Sequence, residues 1–345
     1  MSVICEKVPQ SEMVEKASYD DVYDFVLVKL SERPKDIPVA RKWSMDPCFM
    51  PIKHERNAQR IVDFRVKSDD IWLVGFPKSG TNWSQELIWM ICNNLDYERA
   101  TKLTVSERFP LIEAEGVIMN NWPLKDILAK LGSSPSPRFI KSHLPCQLLP
   151  TQLWTVGPKI VYIARNLKDM VTSCYHQYVN IQGFKGSYDD FIDIVLDKKM
   201  WYSSYHAHVS NFFNMRNEKN ILFLTYEDMK KDLMGVIRKT SKFFGKNYSN
   251  EQLEGLVKHL SFANISKNPS VNKEQMLIDY ENASGRKRKD ESFRFIRRGD
   301  GGAYLDEMPK EVIEKLDRFT ESEMERLGCD PEVRKIFYFN GQLLG

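Results

Sequence analysis

An α/β fold, with a parallel sheet flanked by helices in a single domain, is the class this sequence predicts, and three observations lead there. Short β-branched or apolar runs end in loops and are followed by segments with helical apolar spacing: "IWLVGF" before "NWSQELIWMICNNL", "KIVYIA" before "LKDMVTSCYHQYV", "NILFLTYE" before "DMKKDLMGVIRKTSKFFG". Such alternation builds βαβ units, whose parallel sheets keep their ligands at the carboxyl ends of the strands. The chain has 345 residues, 42% hydrophobic and 28% charged, which is enough for a sizeable core. Its longest apolar runs are strand-sized, well short of the roughly 20 residues that span a bilayer.

Residues 1–70 are rich in charge and proline ("SERPKDIPVARKW") and lack sustained periodicity, so they read as an N-terminal arm packed on a domain that occupies 71–345. In that domain "IWLV" is the first strand. The turn "GFPKSGTNW" (75–83) and the helical "SQELIWMICNN" follow it, a strand-loop-helix that offers backbone N–H groups and the positive end of a helix dipole to an anion. "PRFIKSH" is a further strand, stopped by the prolines of "LPCQLLP". Alternate residues of a strand share a face, so Phe139, Lys141 and His143 point one way and Ile140 and Ser142 the other. In "ARNLKDMVTS", Arg165 follows a buried strand, and Asn166 and Asp169 have the spacing of an N-cap and its N3 partner. That starts a helix near Leu167 and places Ser173 roughly two turns inside it. "ENASGRKRKDESFRFIRRGDGG" (281–302) reads as a long basic surface loop, with "RKRK" at 286–289 solvated.

The formal net charge of +3, from 50 basic and 47 acidic residues, is too balanced for a nucleic-acid binder but allows a local basic pocket for a small anion. The six cysteines show no CxxC pair and no metal-like spacing, and the N-terminus has no signal-peptide pattern. A reducing, cytoplasmic setting without a membrane partner is therefore expected. Four Asn-x-Ser sequons, at Asn82, Asn247, Asn264 and Asn282, read as unused, the motif being frequent by chance.

A nucleotide-triphosphate loop has the form GxxxxGK[ST]. Here the glycine frame Gly75 to Gly80 exists, but Thr81 and Asn82 follow it and the lysine, Lys78, lies inside the loop. The loop alone leaves a phosphate site and an ordinary βα turn with a solvated lysine equally open. Lys141 and His143 emerging together at a strand end suit proton-transfer chemistry, because an imidazole titrates near neutrality, although a lone histidine is more often structural.

Taken in order, "PKSGTNW", "PRFIKSHLPCQLLP", "KIVYIARNLKDMVTSCYHQY", "FLTYEDMKKDL", "SFANISKNPSVN" and "FIRRGDGG" resemble the cytosolic sulfotransferases, over about residues 71–302. The resemblance implies a P-loop-like fold, 3′-phosphoadenosine-5′-phosphosulfate (PAPS) as co-substrate and 3′,5′-adenosine bisphosphate (PAP) as product. It also implies transfer of the sulfuryl group to a hydroxyl or amine of a small lipophilic acceptor, with no metal. Residue by residue, it implies that Lys78, Ser79, Gly80, Thr81 and Asn82 bind the 5′-phosphosulfate, that His143 takes the acceptor's proton, and that Lys141 and Lys78 hold the transferring group. Trp83 then stacks on adenine, Tyr226, Ser261, Phe262 and Phe295 lie by the nucleotide, and Arg165, Ser173, Arg297, Arg298 and Gly299 grip the 3′-phosphate. Phe109 and Trp122 are either an apolar acceptor wall or plain core. Phenols, steroids, retinoid-like alcohols and amines all stay open as acceptors.

The sequence also departs from the family. Ala303, Tyr304 and Leu305 replace its Asp-Trp-Lys pattern, and "LDEMPKEVIE" lacks its dimer-contact elements, so a monomer or a dimer formed elsewhere is expected. The N-terminal arm is longer than is typical and can cover part of the acceptor pocket. Two rival readings remain. One is a P-loop kinase-like phosphotransferase with Thr81 on magnesium and Asp228 as a second acid, which the displaced lysine opposes. The other is a catalytically silent nucleotide-binding protein, which intact Lys78, Lys141 and His143 oppose.

Overall fold

The structure is a computed structural model that describes residues 1–18, 22, 24–38, 43–117 and 126–339. Its N-terminal segment, which showed no periodicity in the sequence, holds an antiparallel sheet of β1 (Val3–Lys7), β2 (Phe25–Leu30) and β3 (Cys48–Pro51), in that order. All four residues of β3 are buried, as are Phe25, Val26, Val28 and Leu30 of β2. Strands covered on both sides lose the in-out alternation by which a strand is read. Phe25 and Phe49 stack at 4.7 Å, and these apolar residues join the core cluster on one face of the central sheet.

The central sheet has four parallel strands in the order β5-β4-β6-β7: β4 (Ile71–Val74), β5 (Phe139–Ser142), β6 (Lys159–Ala164) and β7 (Ile221–Thr225). Its pleat sorts side chains into two apolar layers, as expected of a sheet covered on both faces. Trp72, Ile140 and Tyr162 enter one layer; Leu73, Phe139 and Val161 enter the other. Val74 pairs with both Ser142 and Tyr162, and Ala164 pairs with Thr225. This register makes Gly75, His143, Arg165 and Tyr226, each the first residue after its strand, emerge along one edge.

Helices Thr81–Cys92 and Leu167–Gln177 follow β4 and β6, as the sequence predicts. The helix expected over 228–245 is instead two, Tyr226–Lys231 and Leu233–Phe243. Asp232 leaves helical backbone at φ −145° and its carboxylate accepts the Gly235 N–H at 2.8 Å, so an N-cap interrupts what the apolar spacing would continue. The loop expected over 281–302 begins later, because helix Glu274–Ser284 extends to a left-handed Gly285. Half of the "RKRK" run is tied down rather than solvated: Arg288 pairs with Glu281 at 2.7 Å and Arg286 donates to the Ile181 carbonyl. All six cysteines are free, and among the described residues no helix is long and apolar enough to cross a membrane.

Candidate active site

The carboxyl edge of the central sheet opens into a cavity of about 700 Å³. Every site residue named from the sequence for the sulfotransferase reading lines it except Ser79, which is buried beneath the loop; Asp228, the second acid of the phosphotransferase reading, is exposed and does not line it. Trp122 lies outside the described residues.

The loop gets its shape from two left-handed residues, Lys78 (φ 64°) and Gly80 (φ 96°), before the helix begins at Thr81. Gly80 is required here: a Cβ would lie 2.7 Å from Cδ2 of Tyr226. Around the loop, Ser79 Oγ, Asn82 Nδ2 and Arg165 Nε are buried with no protein partner. An orphaned buried polar atom costs about 1–3 kcal/mol, and those of Asn82 and Arg165, which line the cavity, mark a place where a ligand's polar atoms belong.

Cations converge on the same space. Lys78 Nζ sits 4.0 Å from the Phe295 ring centroid, and burial, reinforced by Lys273, Arg165 and Arg297, pulls its pKa down to about 8. Lys141 Nζ is 3.5 Å from Asn82 Oδ1 and is held well below the ordinary lysine range, chiefly by burial and then by Lys273. The Arg165 guanidinium lies 4.3 Å over the Tyr226 ring and donates to the Lys78 carbonyl at 3.3 Å. Trp83 meets Tyr226 edge-on at 5.6 Å, and its indole N–H bonds the Leu260 carbonyl, which anchors the neighbouring Ser261 and Phe262. Phe262 stays 38% exposed at the rim, packed so closely on Gly299 (φ 69°) that a Cβ there would come within 2.1 Å of its ring. Arg297 and Arg298 already share a carboxylate, Glu307, at 2.6 and 3.2 Å.

His143 is the most constrained residue of the site. Its backbone N–H donates to Glu113 at 2.6 Å, its carbonyl faces His208 Nε2 at 3.0 Å, and its ring Nδ1 faces the Gly75 carbonyl at 2.5 Å. A nitrogen facing a carbonyl oxygen carries the hydrogen, so Nε2 is left with the lone pair. Burial, then the Lys141 charge, hold the imidazole well below its ordinary pKa, so it is neutral at pH 7 and able to accept a proton.

Residues 68–328 match the family model described as sulfotransferase domain. The chain belongs to the sulfotransferase family. The luciferin sulfotransferase of Photinus pyralis is 35% identical over 296 residues, 82% of this chain and 79% of that protein. Sulfotransferase 1E1 of Bos taurus is 32% identical over 266 residues, 76% of this chain and 86% of that one. Among solved structures, retinol dehydratase in a complex with retinol and PAP covers 94% of this chain and 97% of its own, with a TM-score of 0.79 at 22% identity, a likeness of fold. The chain is therefore a sulfotransferase enzyme, which moves a sulfuryl group from PAPS to a small-molecule acceptor.

Several residues of this candidate site escaped the sequence reading. Glu113 is buried behind His143 and also accepts from Ser142 Oγ at 3.0 Å; burial pushes its carboxyl up to about 7. Tyr202 meets the His143 ring edge-on at 5.5 Å, and burial with the charge of the same carboxylate holds its hydroxyl well above the ordinary range. His208 relays the His143 carbonyl to the Tyr162 hydroxyl, 2.7 Å from its Nδ1. The one available signal was the acid at 113 inside the apolar "PLIEA"; the others depend on contacts across the fold. Phe109, 1% exposed, is both core and wall: it packs edge-on against Phe139 at 5.1 Å and also lines the cavity.

Proposed function

We propose that His143 is the general base of this sulfotransferase and that the loop Lys78–Asn82, with Arg165, Ser173, Arg297 and Arg298, holds the anionic ends of PAPS. The acceptor is a hydroxyl of a small lipophilic compound. Its proton passes to His143 Nε2 while the oxygen attacks sulfur, and the bond from sulfur to the 5′-phosphate oxygen breaks with its electrons staying on PAP. Lys78 and Lys141 offset the charge that grows on the sulfuryl oxygens and the leaving phosphate, which is where preorganised cations act most strongly. Trp83, Tyr226, Phe262 and Phe295 supply aromatic surface for the nucleotide.

One observation carries this reading: a neutral imidazole with Nε2 free of its proton faces the same cavity as four cations, Lys78, Lys141, Arg165 and Arg297. The orphaned polar atoms around the loop fit the phosphate and sulfate oxygens of the donor. For assembly we retain a monomer or a dimer formed away from residues 305–314, supported by the burial of Tyr304 inside its own chain and checked by light scattering. The six free cysteines fit a cytoplasmic setting.

The test is ligand-induced stabilisation. PAP should raise the melting temperature by mass action, and ATP, which lacks a 3′-phosphate for Arg165, Ser173 and Arg297, should do so much less. An equal, magnesium-dependent shift from ATP would overturn the reading in favour of a phosphotransferase.

A further inference from the structure

Two ammonium groups share one aromatic ring in the cavity. Lys78 Nζ is 4.0 Å from the Phe295 centroid and Lys273 Nζ is 5.1 Å from it. The proposed function gives Lys78 a role and leaves Lys273 without one. Elsewhere in the molecule, buried cations are neutralised by carboxylates: Arg108 by Glu86, Arg138 by Asp70, Lys168 by Asp317. Among the described residues no carboxylate pairs with Lys273, although it lines the cavity and is partly buried. Burial accounts for the fall of its pKa to about 8. An uncompensated ammonium withdrawn from water is costly, and that cost is recovered when a ligand supplies the missing charge.

The position of Lys273 indicates which ligand. It stands at a left-handed junction (φ 61°) between helices Pro269–Asn272 and Glu274–Ser284, and the second of these also brings Met276 and Tyr280 to the cavity wall. It thus enters from a helical wall, close enough to His143 and Lys141 for its charge to lower the pKa of each. The donor's phosphates and sulfate already meet Lys78, Lys141, Arg165, Arg297 and Arg298 under the reading above. We propose that Lys273 recognises an anionic substituent of the acceptor, so that the preferred acceptors are hydroxyl compounds carrying a carboxylate. This rests on the proposed function and narrows its acceptor class.

The experiment uses a matched pair, a hydroxyaryl propionate and its methyl ester, with the wild type, Lys273→Asn and Lys273→Arg. Asparagine tolerates left-handed backbone, so the first variant keeps the junction. The wild type should favour the acid by about tenfold or more in kcat/KM, through KM; the preference should vanish in Lys273→Asn and persist in Lys273→Arg. Calorimetric binding of acid and ester to the PAP-bound protein gives the same comparison without turnover, with PAP affinity expected to be equal in all three proteins. No acid preference in the wild type, in turnover or in binding, overturns the proposal. So does a Lys273→Asn defect that lowers kcat equally for acid and ester at unchanged KM, because that would place the ammonium on the sulfuryl group. Failure of the underlying reading looks different: PAP would not bind any of the proteins.

Discussion

Replacing Gly80 with alanine should damage both the fold and the donor site. Gly80 has φ 96°, and a methyl group there would stand 2.7 Å from the Tyr226 ring. The left-handed backbone costs an L-residue about 1–2 kcal/mol. The ring must also move, and it is held by Arg165 at 4.3 Å and Trp83 at 5.6 Å, so disturbing the cation–π contact adds about 0.5–2 kcal/mol. The total is about 1.5–4 kcal/mol. For 345 residues at about 2.1 cal/mol/K each, the unfolding entropy is about 0.7 kcal/mol/K, so the melting temperature should fall by about 2–6 °C. Because the same shift displaces Arg165, PAP affinity should also drop by about tenfold or more. Gly132→Ala is the control: it lies in helix Ile127–Ser133 with nothing within 4 Å of the added carbon, and should stabilise by about 0.5–1 kcal/mol. Scanning calorimetry and PAP titration read both variants. A Gly80→Ala protein with wild-type melting and wild-type PAP affinity would refute the steric argument.

Three further outcomes are expected. Burial holds Lys78 near pKa 8 in the free protein and a bound anion favours the charged form, so PAP binding should take up protons above pH 8 and weaken as pH rises; calorimetry at about pH 9 in buffers of different ionisation enthalpy that shows no uptake would contradict this. His54 and His208, depressed by burial to about 4, and His206, to about 3, bind protons in the unfolded chain first, so stability should hold above roughly pH 6.5 and fall below it, by about 2 kcal/mol per histidine near pH 5. Urea midpoints measured from pH 7 to pH 5 check that sign, and His206→Gln should flatten the slope. Arg297→Ala should weaken PAP binding by about 1.5–3 kcal/mol, towards the low end because Glu307 already engages the guanidinium at 2.6 Å.

What the sequence disclosed was local. The strand-loop-helix at 71–92, the Asn166 cap, bonded to the Asp169 N–H at 2.9 Å, and the shared face of Lys141 and His143 follow from spacing within one element, and all are present. What it hid depends on long-range pairing. Glu113 matters because its carboxylate meets a backbone N–H 30 positions away, and His208 because it reaches a carbonyl 65 positions away. β3 is four residues long and buried throughout, so neither alternation nor length marks "CFMP" as a strand. Lys273 looks like an ordinary surface lysine in "VNKEQ" until Phe295 and Lys78 are folded against it.

The central claim is that His143 does the proton transfer and does not hold the donor. The direct measurement is turnover of His143→Ala with labelled PAPS on an acceptor the wild type sulfates, alongside PAP titration of the same protein. Turnover should fall by about 100- to 10,000-fold, the worth of a positioned general base, with PAP affinity nearly unchanged. In the wild type, kcat/KM should hold to well below pH 6.5 before declining, because burial and Lys141 keep the imidazole neutral there. A His143→Ala enzyme that keeps most of the wild-type rate would contradict the account.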